Sequence, residues 1–156
     1  MEANYPVFKN IWLADDDPDD CAIFREALEQ LVPTASLTII SNGEQLTNLL
    51  TPSNKPDILF LDINMPLKTG LECLVEIRAQ RHFSRLPIVM FTSSTQDWDV
   101  TKSYGFGATL YYSKPHSFAK LVGDMGALFK MNWDDPYTIT GDHYVNNKFV
   151  PFNAGQ

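Results

Sequence analysis

Short apolar runs alternate with amphipathic runs along most of the chain. Residues 8–14 (FKNIWLA) read as a strand. Pro18–Leu31 then carries apolar residues at Ile23, Ala27, Leu28 and Leu31, which is a helical period. Residues 35–40 (ASLTII) are strand-like, Asn42-Gly43 is a turn, and residues 43–50 form a helix with Leu46, Leu49 and Leu50 inward. Residues 57–62 (DILFLD) are a continuous apolar run ending in an acid, the pattern of a strand covered on both faces. A helix follows over 67–80, with Leu71, Leu74, Val75 and Ile77 on one side. Residues 86–91 (LPIVMF) predict another buried strand, 95–104 a weaker helix, 109–112 a short strand and Phe118–Phe129 a last helix.

Five βα units in succession argue for an α/β fold with a parallel sheet and helices on both faces. Right-handed crossovers leave few topologies, and the flavodoxin-like doubly wound five-stranded sheet, order 2-1-3-4-5, is expected. Residues 1–130 make this domain. The last 26 residues (131–156) break the alternation and are rich in Asn, Asp and aromatics. Gly141-Asp142 lies between strand-like 137–140 and 143–145, so a small hairpin or an extended docked tail is expected, without an output domain.

Composition narrows the function classes. At 156 residues the chain buries roughly two-thirds of its unfolded surface and needs no disulfide or metal staple. Hydrophobic residues make up 44%, which excludes a disordered chain. No apolar stretch approaches a membrane span, and the N-terminus (MEANYPVFKN) lacks the apolar core of a secretory leader, so a cytoplasmic protein is expected. The net charge of −7 argues against nucleic-acid phosphates as a ligand and favours a cation or basic partner. Cys21 and Cys73 read as reduced core thiols. His82, His116 and His143 lack metal-ligand spacing.

In a doubly wound sheet the chemistry lies beyond the carboxyl ends of the strands. The first strand ends in Asp15-Asp16-Asp17-Pro18-Asp19-Asp20. Asp17 fits a helix N-cap ahead of proline, and Asp19 and Asp20 fit the first turn, where the helix dipole favours anions. Asp15 and Asp16 are left without a structural task, although an aspartate run can also be a solvated face. The third strand ends at Asp62, where an ionised carboxylate needs a partner or a metal. The fourth ends in Thr92-Ser93-Ser94, where one hydroxyl can cap the next helix. The fifth ends before Lys114-Pro115, whose lysine can equally be a snorkelling surface cation. Three carboxylates, a hydroxyl and an ammonium around one pocket call for a hard cation such as Mg²⁺ and suit phosphoryl transfer.

These residues resemble the receiver domain of bacterial two-component response regulators. The matching positions are Asp15-Asp16, Leu61-Asp62-Ile63-Asn64-Met65-Pro66 with Gly70, Thr92, Gly107-Ala108 and Lys114-Pro115. The stretch from Leu13 to Asp20 looks like the small stand-alone receivers of the chemotaxis-regulator and cyanobacterial-phytochrome-regulator kind. The resemblance covers about residues 7–130. It implies that Asp62 accepts a phosphoryl group from a kinase phosphohistidine. It implies Mg²⁺ held by Asp16, Asp62 and the Asn64 backbone carbonyl, with Asp15 acting through water. Lys114 and Thr92 would contact the phosphoryl oxygens, and Tyr111 would be the aromatic whose rotamer follows Thr92. The Lys114–Pro115 bond is often cis in that family. Such a protein catalyses only its own phosphorylation and dephosphorylation. Its partners would be a sensor histidine kinase or histidine phosphotransfer protein upstream, and a protein target or homodimer partner downstream. The switched surface would be the fourth helix, fifth strand and fifth helix.

Departures and alternatives remain visible in the sequence. Ser113 and His116 stand where larger apolar residues are common in the family. Asn64 and Ser94 occupy the positions that tune self-dephosphorylation there, so the phosphoryl lifetime stays open. A Mg²⁺-dependent phosphohydrolase with an aspartyl nucleophile is a second reading, disfavoured because Asn64 replaces the usual second aspartate. A binding module that has lost phosphorylation is a third. The tail is either an extension packing Trp133 and Tyr137 on the fifth helix or a partner-contact segment.

Overall fold

The computed structural model describes residues 8–155; residues 1–7, part of the stretch read as lacking a secretory leader, lie outside them. Strands β1 (Asn10–Ala14), β2 (Ser36–Ile40), β3 (Ile58–Leu61), β4 (Ile88–Thr92) and β5 (Leu110–Ser113) form one parallel sheet in the order β2-β1-β3-β4-β5. Helices α1 (Pro18–Leu31), α2 (Gly43–Leu49), α3 (Gly70–Arg78), α4 (Asp97–Gly105) and α5 (Phe118–Phe129) connect or follow the strands. This is the flavodoxin-like doubly wound fold expected from the alternation. Among the described residues no helix is long and apolar enough to cross a membrane.

Successive strand residues point to opposite faces, which divides the core in two. Leu59, Leu61 and Met90 join Leu74 and Ile77 of α3 on one side. Ile58, Phe60 and Phe91 join Phe24 of α1 and Phe129 of α5 on the other. Phe60 is fully buried and meets Phe24, Phe91 and Phe129 edge-on at centroid distances of 4.9, 6.2 and 6.2 Å. Burying one such side chain is worth roughly 1.5–3 kcal/mol, and a well-placed ring pair adds about 0.5–1.5 kcal/mol. This packing fixes the strand ends relative to one another.

The helix starts follow their capping residues. Asp17 accepts from the amides of Asp19 and Asp20 ahead of Pro18, as its sequence context requires. Helix α3 begins at Gly70 rather than at residue 67. Leu67 takes a left-handed φ of 70°, and Thr69 closes a capping box with Glu72. Two residues placed inward by periodicity are outside: Val75 is 47% and Ile23 44% exposed, because each helix meets the sheet along a narrower stripe than its apolar positions suggest. Every described peptide bond is trans, including Lys114–Pro115, against the cis form common in the resembled family.

The tail differs most from expectation. Residues 137–140 are not a strand but part of helix α6 (Pro136–Asp142), which Asp135 caps ahead of Pro136. A hairpin does form, later in the chain, from β6 (Tyr144–Val145) and β7 (Lys148–Phe149). Its turn residues Asn146 and Asn147 have φ of 54° and 62°, the paired left-handed conformation of a tight hairpin. Trp133 packs on α5 as expected, its indole donating to the Leu128 carbonyl at 2.9 Å. Tyr137 does not; it is exposed, and its hydroxyl reaches the Ser84 carbonyl instead. Beyond the hairpin, the Phe152 amide donates to the Tyr111 carbonyl of β5, and Phe149 stacks on Tyr104 of α4 at 4.8 Å. The extension thus lies against α4 and β5.

Candidate functional site

Main-chain hydrogen bonds carry the sheet one residue past its strands and place the site residues there. The Asp15 amide donates to Ile40, the Asp62 amide to Ala14 and the Lys114 amide to Thr92, all at 2.8–2.9 Å. Three side chains from β1, β3 and β5 therefore leave the sheet at one edge. Lys114 Nζ lies 2.7 Å from Asp15 Oδ2, 2.8 Å from Asp20 Oδ2 and 3.4 Å from Asp62 Oδ2. Asp15 and Asp62 are buried, at 1% and 6% exposure. Burial pushes the Asp15 carboxyl up in pKa, against the lowering effect of Lys114. Burial alone would pull the Lys114 ammonium down, but hydrogen bonds to Asp15 and Asp20 and the nearby Asp62 outweigh it and hold the pKa above the ordinary lysine value.

The loop after β3 closes tightly under Asp62. The Gly70 amide donates to the Ile63 carbonyl at 2.7 Å. A Cβ on Gly70 would stand 2.0 Å from the Asp62 carbonyl oxygen, so any side chain there would displace the loop. The Asn64 amide lies 3.4 Å from Asp62 Oδ1, which keeps Asn64 in the same turn.

Thr92, at the end of β4, is fully buried, and its hydroxyl has no hydrogen-bond partner. An orphaned buried hydroxyl costs stability, on the order of 1–3 kcal/mol. The Thr92 hydroxyl is a buried donor without an acceptor, at the end of the strand that lies between β3 and β5. Tyr111 is buried, with its hydroxyl on the Ser94 carbonyl at 2.8 Å, and Ser113 Oγ reaches the same carbonyl at 3.2 Å. The loop after Thr92 is thereby tied to β5. Burial lifts the Tyr111 phenol to about 12. Ser94 Oγ donates to the Asp99 carboxylate in the first turn of α4, but no side chain caps that helix, whose N-cap is Gln96, so the capping role expected of one hydroxyl in this loop is not filled.

The oxygens of Asp15, Asp16 and Asp62 come within 4.8 Å of one another, close enough to share one cation. Asp16 is exposed, and Asp15 already serves Lys114. Four carboxylates (Asp15, Asp16, Asp20 and Asp62) face one ammonium, a formal surplus of three negative charges. All-oxygen donors with an open, solvated side suit a hard divalent ion that keeps part of its water shell. The residues present fit such a metal. The sequence reading assigned Asp20 to the helix dipole alone and missed its reach to Lys114. The available signal was position: the first turn of a helix that follows the strand directly faces that strand's end.

Cys21 and Cys73 are free and buried, as expected, and burial raises both thiols to about 11. Exposed His116 precedes the Ser117 cap of α5 and makes no part of the cluster.

A family model described as the response regulator receiver domain matches residues 11–125. Among curated proteins, the response regulator Rcp1 of Synechocystis sp. (strain ATCC 27184 / PCC 6803 / Kazusa) is 30% identical over 126 residues, covering 77% of this chain and 84% of Rcp1. The transcriptional regulatory protein CpxR of Escherichia coli (strain K12) is also 30% identical over 126 residues, covering 80% of this chain but 51% of CpxR. The chain thus spans about half the length of that regulator. Among solved structures, the Mn²⁺-bound form of Rcp1 superimposes with a TM-score of 0.71 at 26% identity, covering 79% of this chain and 96% of that one. The phosphorylated cyanobacterial phytochrome response regulator RcpA gives 0.72 at 25% identity, covering 78% and 91%.

Proposed function

The chain belongs to the response regulator receiver domain family, and from that premise we propose that it is a phosphoacceptor switch whose Asp62 takes a phosphoryl group from a histidine kinase or histidine phosphotransfer protein. The observation that carries this reading is the meeting of the Asp15 and Asp62 carboxylates within 3.4 Å of the Lys114 ammonium, with an unpartnered Thr92 hydroxyl at the end of the strand between β3 and β5. In the reaction an Asp62 carboxylate oxygen attacks phosphorus. The new P–O bond forms as the P–N bond to the donor imidazole breaks, and the imidazole leaves with the electron pair. Lys114 neutralises one equatorial oxygen of the transferred group. Thr92 donates to another, which gives its buried hydroxyl the acceptor it lacks. Asp15, Asp16, Asp62 and the Asn64 carbonyl would hold Mg²⁺, which when bound supplies further positive charge to the phosphoryl oxygens. That Rcp1 is known in a Mn²⁺-bound form and RcpA in a phosphorylated form supports a divalent ion and a phosphoryl group for this chain.

The protein acts on no other substrate in this reading; it promotes only the gain and loss of its own phosphoryl group. Movement of Thr92 would pull on the Ser94 carbonyl held by Tyr111, and so on β5. The surface of α4, β5 and α5 then changes for a downstream protein or a second copy. Part of that surface is the extension itself, since Phe149 and Phe152 already rest on Tyr104 and Tyr111. A cytoplasmic setting, where histidine kinases present their phosphohistidine, fits this role.

The test is incubation with a small phosphodonor and Mg²⁺, followed by intact-mass measurement. Wild type should gain one phosphoryl group, chelation should prevent it, and Asp62→Asn should gain none while keeping its fold. An adduct of equal yield in the variant contradicts the assignment of Asp62.

A further inference from the structure

The proposed reaction leaves Asp20 without a part, yet its carboxylate is one of the two nearest partners of the Lys114 ammonium. Lys114 has three protons to donate. The contacts to Asp15 and Asp20 at 2.7 and 2.8 Å are short and charge-assisted, whereas the contact to Asp62 at 3.4 Å is long. The lysine is therefore held toward α1 and β1, away from the carboxylate that would react. A dipole-seeking acid in the first turn explains a charge at this position but not the contact. Asp19, next to it in the same turn, serves the dipole equally and is not among the ion-pair partners of Lys114.

We propose that Asp20 is a positioning residue that holds the Lys114 ammonium off Asp62 in the resting protein and releases it to the incoming phosphoryl group. The proposal rests on the reading of Asp62 as phosphoacceptor. Exposure decides which of the two short contacts yields. The Asp15 side chain is fully buried, so losing its lysine would strand a carboxylate without water; the Asp20 side chain is 38% exposed and can be hydrated at once. The phosphoryl group brings more charge and more acceptor oxygens than Asp20 offers. Exchange of one contact for the other is then downhill, and no bond changes besides those of the phosphoryl transfer itself. Asp20 stabilises the resting arrangement and not the phosphorylated one, so its charge slows phosphorylation.

The experiment compares Asp20→Asn, Asp20→Glu and Asp19→Asn with wild type, each checked for an unchanged thermal melt. Phosphorylation by a small phosphodonor is timed at saturating Mg²⁺. Separately, the Lys114 Nζ signal is followed by ¹⁵N NMR on lysine-labelled protein without metal or donor. Asp20→Asn should phosphorylate about threefold to fivefold faster, as expected from loss of one half-exposed ion pair. Asp20→Glu should return toward wild type, and Asp19→Asn should change the rate by less than about twofold. The Lys114 signal should move in Asp20→Asn and stay put in Asp19→Asn. Equal rates in the two asparagine variants, a slower Asp20→Asn, or an unmoved Lys114 signal overturns the positioning role while leaving Asp62 as phosphoacceptor. A wild type that takes no phosphoryl group overturns the reading of Asp62, and this role with it, whatever the lysine signal does.

Discussion

Lys114 and Arg78 are cations withdrawn from solvent at opposite ends of the same sheet, and their neighbours differ in kind. Lys114, beyond the carboxyl end of β5, faces the carboxylates of Asp15, Asp20 and Asp62. Arg78, at the end of α3, donates to the Gly107 carbonyl at 2.7 Å, the Phe83 carbonyl at 2.6 Å and the Thr109 hydroxyl at 3.3 Å. The pKa directions are opposite for this reason. Burial pulls Arg78 down to about 10 with no carboxylate to oppose it, whereas at Lys114 the carboxylates win over burial. Arg78 staples three segments through neutral acceptors that have no other use for it. Lys114 pairs with carboxylates, one of which, Asp62, is the group proposed to react. A withdrawn cation among carbonyls is a structural pin, and one among carboxylates marks a place where charge is exchanged.

The largest expected effect that separates the two concerns reaction rate. Lys114→Met should slow phosphorylation of Asp62 by about 10²-fold or more, the scale of losing one preorganised charge, while Arg78→Met should leave it within about twofold. Timed intact-mass measurement checks both, and a matching loss in Arg78→Met would break the contrast. Stability should respond the other way. Arg78→Met strands two main-chain carbonyls and should cost about 2–4 kcal/mol in urea unfolding, with or without Mg²⁺. The loss in Lys114→Met should shrink when Mg²⁺ is added, because a second cation binding the native site stabilises it by linkage. Equal losses with and without Mg²⁺ would mean that the ion binds the variant no more tightly than the wild type, so that Lys114 does not compete with it for the carboxylates.

These contrasts were only half legible beforehand. Periodicity sufficed for the five βα units because the central strands β3 and β4 are covered on both faces and read as unbroken apolar runs, as at Ile58–Leu61, while the edge strand β2 still stands out by its β-branched residues. It also placed Asp15, Asp62, Thr92 and Lys114 at strand ends, which the fold gathers. Partners were another matter. Nothing in the spacing of Asp20 and Lys114 told that they touch, since 94 residues separate them and only the closed sheet brings them together. The tail failed for a local reason. Tyr137 to Thr140 look like a strand by residue type, yet Asp135-Pro136 repeats the capping signal of Asp17-Pro18, and the cap decided the outcome.

Titration gives a smaller effect. Lys114 lowers the pKa of Asp15 against the upward push of burial. Asp15 should therefore keep its proton to higher pH in Lys114→Met than in wild type, read from its ¹³C carboxyl shift. Arg78→Met should leave that curve unchanged. In the wild type the folded Asp15 carboxyl is raised, so this group favours folding most at acid pH and less as pH rises through its native pKa; removing Lys114 moves that window upward. The smallest effect concerns the thiols. With both lifted from 9.0 to about 11, native Cys21 and Cys73 should alkylate about 100-fold more slowly at pH 8 than the unfolded chain does. Neither cation variant should alter this while the fold holds.

The most direct measurement is chemical mapping of the phosphorylated residue. Wild-type protein is treated with a small phosphodonor and Mg²⁺, the acyl phosphate is reduced with borohydride, and the peptides are sequenced by mass spectrometry. The reduced side chain should be found at Asp62 and nowhere else. Reduction at Asp15, Asp16 or Asp20, or phosphate carried on a hydroxyl or a histidine with Asp62 intact, would contradict the assignment on which the contrast between the two ends of the sheet depends.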